Sequence, residues 1–133
     1  MTGGRGWRRL RLAGADVEVP DGMAPSEEQG VEGGVVVLED AGLRLTVDAT
    51  PFRDRLEGYG ARPGFRAWSE AVDGTDLDLV AFDDEDGGRV LATTVPGGPT
   101  VAVHVEQEAY QPDALRILRS IHPTHPQQGD TDA

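Results

Sequence analysis

The sequence predicts an α+β domain: an antiparallel, strongly curved sheet of about six to eight strands with a C-terminal helix packed on one face. Three observations carry this. Apolar and polar residues alternate over most of the chain, the two-residue period of a strand whose successive side chains face opposite sides. Gly, Pro and Asp punctuate the alternation with turn chemistry. Near the C-terminus, residues 112–121 switch to helical spacing, which gives the sheet a partner to bury against.

Arg9, Leu10, Arg11 and Leu12 alternate, as do Asp16, Val17, Glu18 and Val19, so the two runs form a hairpin that Pro20, Asp21 and Gly22 end. Residues 20–34, rich in Gly, Glu and Pro, read as a mobile acidic loop. Val35, Val36, Val37 and Leu38 put apolar groups on both faces, as a central strand does. Residues 39–42 turn the chain, and residues 43–48 return with Leu43, Leu45 and Val47 on one face. Pro51 can open a short helix near 51–59, with Phe52, Leu56 and Tyr59 at i, i+4 and i+7. In residues 65–72, Phe65, Ala67, Ser69 and Ala71 share one face of a strand, and Trp68 and Val72 the other. Strands follow over 77–82, 89–95 and 100–106, separated by an acidic hairpin tip at 83–88 and a Pro-Gly turn at 96–99. Pro112 and Asp113 open the last helix, because proline suits a first turn and an acid meets the positive end of the helix dipole. Ala114, Leu118 and Ile121 form its buried face with Leu115 and Ile117 beside it, Arg116 and Arg119 point outward, and His122-Pro123 ends it. The resulting layout is a flexible N-terminus over 1–6, a single domain over 7–122 and a disordered tail over 123–133.

Composition limits the chemistry. The chain has 133 residues, one domain by length, and no cysteine, which removes disulfides and thiolate metal sites. A net charge of −12 disfavours nucleic acid and anionic membrane surfaces, both polyanions, and favours a basic partner. No apolar run approaches the roughly 18 residues of a membrane-spanning helix. The basic start, Arg5 to Arg11, is not followed by the apolar stretch of a signal peptide. The expected location is cytoplasmic, with export of a chain that has shed its leader as the alternative. All 12 basic residues are arginine, and lysine and asparagine are absent, the coding bias of a GC-rich genome such as an actinobacterial one.

Few residues suggest reaction chemistry. The tip Asp83, Asp84, Glu85, Asp86 lacks the alternating acids and distal glutamate of a calcium loop, so a solvated tip is the reading. Asp73, Asp76 and Asp78 read as a turn and the wet face of a strand. His104 takes the polar phase of a valine strand, and His122 and His125 sit at the helix end and in the tail. Ser26, Ser69 and Ser120 occupy no nucleophile elbow, and no glycine run opens a helix as a phosphate loop does. No catalytic residue, metal ligand or cofactor is assigned. The candidate partner-binding patch is Arg53, Arg55, Tyr59, Arg62, Arg66 and Trp68, because arginine and aromatic residues dominate interface hot spots and these cluster in an otherwise acidic chain.

Two segments carry a family resemblance. Val17, Glu18, Val19, Pro20, Asp21, Gly22 and Met23 look like the early strand of the PsbP-like family, which ends in Pro-x-Gly before a large apolar residue, often tryptophan; Met23 stands there. Ala114 to Ile121, with Ile117, Leu118, Ser120 and Ile121 in order, resembles that family's terminal helix. The similarity spans roughly residues 9–122 and implies an α/β/α sandwich and a non-catalytic binding role, without catalytic residues to carry over.

The expected function is therefore a non-catalytic binding or assembly module acting through protein–protein contact, either with another protein or by self-association through a sheet edge or the arginine–aromatic patch. The alternatives are an acidic inhibitor or immunity-type protein that blocks a basic partner, and a small enzyme using Glu70 or Asp78 near His104.

Overall fold

The computed structural model describes residues 6–12, 15–25, 31–32, 35–40, 42–49, 60–72, 74–85, 87–95 and 99–123. Its strands are β1 (Trp7–Leu12), β2 (Ala15–Pro20), β3 (Ala24–Pro25), β4 (Val31–Glu32), β5 (Val35–Asp40), β6 (Leu43–Asp48), β7 (Arg66–Val72), β8 (Thr75–Asp83), β9 (Arg89–Thr94) and β10 (Thr100–Val105). A 3-10 turn (Glu108–Tyr110), helix α1 (Gln111–Arg119) and strand β11 (His122–Pro123) complete the chain. An eight-stranded antiparallel sheet runs β3-β5-β6-β10-β9-β8-β7, with β4 also pairing β5, and a three-stranded sheet runs β1-β2-β11. Among the described residues no helix is long and apolar enough to cross a membrane.

The alternation in the sequence becomes the core by register. β10 lies between β6 and β9, so Val101 faces Val47, Val103 faces Leu45 and Val105 faces Leu43. All six are buried, together with Leu91 on β9 and Leu79 and Ala81 on β8. Directly opposed apolar pairs of this kind each contribute about 0.2–1 kcal/mol beyond their burial. The small sheet closes the same core with Ala15, Val17 and Val19, and Met23 follows them inward. The opposite face of the large sheet is also apolar at its centre: Val37, Val80, Phe82 and Ala92 are buried, which accounts for the unbroken apolar run of β5.

Helix α1 supplies Ala114, Ile117, Leu118 and, just past its end, Ile121, all buried at the i, i+3, i+4, i+7 spacing of a helix face. Burying Ile117 and Leu118 is worth about 1.5–3 kcal/mol each, far more than any surface contact the helix makes. Its polar contacts set direction instead. The Ser120 hydroxyl accepts the backbone N–H of Glu18 on β2 at 2.7 Å and donates to the Ile117 carbonyl at 2.6 Å. Arg116 donates to Glu18 at 3.0 Å, with its guanidinium 3.9 Å from the centre of the Trp7 ring. Three residues on, Arg119 grips Glu70 of β7 with Nε at 2.7 Å and a second nitrogen at 3.0 Å. Trp68 completes this group, its indole N–H reaching Glu70 at 2.9 Å. The helix is thus tied to the small sheet on one flank and to the far strand of the large sheet on the other.

Several expectations are adjusted. The segment 20–34 contributes two short strands, β3 and β4, because the outer side of β5 would otherwise leave its backbone groups unpaired. Arg116 and Arg119 are exposed but reach sideways to Glu18 and Glu70 rather than simply outward. His122 and Pro123 leave the helix and pair with Asp16 and Ala15 of β2. The short helix expected near 51–59 falls outside the described residues, as do the expected flexible N-terminus 1–6 and disordered tail 123–133 apart from Gly6 and Pro123.

Two outcomes follow. Ser120→Ala removes both hydroxyl bonds and leaves the Glu18 N–H without its partner, so urea unfolding should show a loss of about 1–3 kcal/mol. Arg119→Ala should cost less than about 1 kcal/mol, because that pair is half-exposed. The second concerns acid. The Arg119 guanidinium, and then the Trp68 indole, hold the Glu70 carboxyl at about 2, below its ordinary 4.5. A depressed acid stabilises the fold fully above the unfolded value and loses that contribution as pH falls through the folded one. The stability difference between wild type and Glu70→Gln should therefore be flat near neutrality and shrink from about pH 4.5 toward about pH 2, read from urea melts across that range. A difference independent of pH would show that Glu70 has no such role.

Candidate functional site

The register of β5, β6 and β10 places Glu39, Arg44 and His104 side by side across three strands. They lie on the face opposite the core, as the polar phase of those strands requires. The hairpin tip between β8 and β9 folds onto this row. The His104 Nε2 is 2.8 Å from the Asp84 carboxylate and 3.1 Å from the Gly87 carbonyl. Both partners are acceptors, so Nε2 carries a hydrogen whether the ring is neutral or charged. The tip can come this close because Gly87 and Gly88 adopt φ of +96° and +86°. A Cβ on Gly88 would collide with the Val105 carbonyl.

Between the tip and the β5–β6 turn lies a groove of about 770 Å³. Glu39, Asp40, Asp84 and Glu106 line it, against one guanidinium, Arg44, and the His104 imidazole. Arg44 is already bound to Glu39 at 2.7 Å, so the groove presents a negative field to solvent. The described lining carries no hydroxyl or thiol nucleophile. Among the described residues no group of three or more histidine and carboxylate side chains is placed to hold a metal ion. The arrangement can attract and orient a cation, and it holds its one imidazole in place.

A second concavity of about 380 Å³ lies between β7 and α1, with Arg66, Trp68, Leu91 and Leu115 in its walls. Of the expected patch, Arg66 and Trp68 come together here, two residues apart on the helix-facing side of β7. Trp68 and Leu115 are half-buried against the core, while Arg66 is exposed. Arg62 sits elsewhere, its guanidinium 4.7 Å from the centre of the Phe82 ring on the opposite face of the sheet. Arg53, Arg55 and Tyr59 fall outside the described residues. Glu70 and Asp78 do not meet His104: Glu70 binds Arg119 and Trp68, and Asp78 accepts the Ser69 hydroxyl at 2.6 Å.

The pairing of Asp84 with His104 has a signal in the sequence that composition does not expose. In a meander of three strands, the tip of the first hairpin lies beside the end of the third strand. Counting from the β9–β10 register, where Val90 faces His104, puts Asp84, Gly87 and Gly88 next to that histidine.

No family model and no curated protein matches the sequence. Structural comparison finds similarity to the solution structure of cyanobacterial PsbP (CyanoP) from Synechocystis sp. PCC 6803, with a TM-score of 0.54 and 13% sequence identity over 92% of this chain and 95% of that one. The antiparallel sheet with helix α1 near the C-terminal end, as the described residues show it, is accordingly a PsbP-like α+β fold.

Proposed function

We propose that this domain is a non-catalytic binding module that acts through protein–protein contact, and that the groove beside His104 receives a cationic segment of the partner. The observation that carries the reading is the groove itself: four carboxylates line it, and its one guanidinium is consumed by Glu39. The net charge of −12 supports it at longer range, because a negative field steers a basic protein toward this chain. The Asp84–His104 contact and the two left-handed glycines hold the rim in a fixed shape, which lowers the entropy a partner must surrender on binding.

A fluorescein-labelled arginine-rich peptide tests this by anisotropy. Replacing Asp40 by Asn and Glu106 by Gln together should weaken binding by about tenfold, or ~1.4 kcal/mol. Neutralising two exposed acids at the far end of β8 from the groove, Asp76→Asn with Asp78→Asn, should change it by less than about twofold, and added salt should weaken binding. Equal losses in the two double variants would mean that net charge alone attracts the peptide, and the groove reading would fall.

A further inference from the structure

The two ends of the large sheet are finished differently. At one end the outer side of β5 is covered by two strands of two residues each, and one of them contains Pro25. Short strands and proline are the usual ways of blunting an edge against further pairing. At the other end lies β7, seven residues long and paired to β8 without interruption from Arg66–Ala81 to Val72–Thr75. It has no proline, no lysine and no bulge, and among the described residues no strand pairs its outer side. Ala67, Ser69 and Ala71 project from it exposed, so nothing bulky shields the approach on that face.

The strand is also complementary to itself. Reversed about Ser69, its sequence sets Ala67 against Ala71 and Ser69 against Ser69 on one face, and Trp68 against Glu70 and Arg66 against Val72 on the other. No like charges are directly opposed. Arg66, which has no partner among the described residues, falls diagonal to Glu70 of the other copy, a spacing that long side chains span. Glu70 already accepts three hydrogen bonds, two from Arg119 and one from Trp68, and a carboxylate has about four acceptor sites. One remains for Arg66.

We propose that β7 pairs antiparallel with β7 of a second copy about a two-fold axis at Ser69, joining the two large sheets into one. This surface is separate from the acidic groove and does not depend on it. Charge distinguishes the two. Two chains of −12 repel at a distance, and salt screens that repulsion beyond about 8 Å at physiological strength, so dimer formation should strengthen with salt where cationic-peptide binding weakens.

The native chain has no cysteine, which makes Ser69→Cys a clean probe. Under mild oxidation it should give a covalent dimer in high yield, because residues opposed across an antiparallel pair have Cβ atoms within disulfide reach. Sedimentation velocity on the full chain should show a dimer that grows with protein concentration and salt. Ala71→Lys, an exposed position given a natural edge-blocking residue, should return it to monomer with an unchanged circular dichroism spectrum. A chain that stays monomeric at submillimolar concentration in high salt overturns the proposal, as does a dimer that Ala71→Lys leaves intact. A Ser69→Cys protein that resists cross-linking while dimeric rules out the Ser69 register. None of these outcomes bears on peptide binding by the groove, so either reading can fail alone.

Discussion

The structure depends on how the last turn of α1 is held. A nine-residue helix is too short to persist alone in water, so α1 exists because Ile117 and Leu118 are buried against the sheets. Apolar burial has no direction, however, and by itself would let the helix slide or rotate over a surface of valines. Hydrogen bonds at its end remove that freedom. Ser120 takes a backbone N–H from β2 and returns its own proton to the helix, which fixes one end against the small sheet. Arg116 and Arg119, almost a full turn apart, then reach to opposite flanks. Burial supplies the free energy and these contacts choose one arrangement among many of nearly equal burial.

The same economy explains how arginine is used in so acidic a chain. Carboxylates outnumber arginines 24 to 12, and several of the described arginines are placed where segments distant in sequence meet. Arg8 donates to the Met23 carbonyl, Arg89 joins Asp83 and the Gly64 carbonyl, and Arg62 lies on Phe82. A guanidinium suits this work, since it offers five donors in a plane and can also stack on a ring. Carboxylates remain in excess, and the groove beside His104 is where the topology gathers four of them, Glu39, Asp40, Asp84 and Glu106. The acidic character itself is set by composition, a net charge of −12, and the proposed binding of a cationic segment relies on a field of that sign.

Much of the fold was legible because its signal is local. Strand parity in β6 and β10 follows from a period of two and needs no knowledge of neighbours, so Leu43, Leu45, Val47 and the three valines of β10 face the core as expected. Strands β3 and β4 are too short to show a period, and only the open side of β5 explains them. The candidate patch shows the limit from the other side. Adjacency in sequence groups Arg62 with Arg66 and Trp68, yet Arg62 lies on the ring of Phe82 while the other two face the helix, because β7 begins at Arg66 and parity takes over from there. Glu70 and Arg119 meet across 49 residues, and Ser120 and Glu18 across 102, which no window along the chain can register. Ser120 was visible only as one letter of a terminal pattern, and its reason is tertiary.

A PsbP-like fold at 13% identity becomes understandable from what the architecture demands. Core positions ask only for aliphatic residues of about the right volume, a requirement many sequences meet. Stricter demands fall on few places. Gly42, at φ +78°, lets the Tyr110 ring lie where any Cβ would collide, and so brings the β5–β6 turn against the approach to α1. Gly88 does the same for the β8–β9 tip against β10. Neither glycine contributes side-chain chemistry, yet both line the groove, and Gly88 sets the reach of Asp84 to His104. What is particular to this protein then lies where the architecture asks least, and exposed Glu106 on the groove rim, just past the end of β10, is such a place. The two rim acids differ in this respect: Asp84 answers His104 within the fold, whereas the backbone at Glu106 would accept another polar group, so the charge at Glu106 is the one the proposed cationic partner would explain.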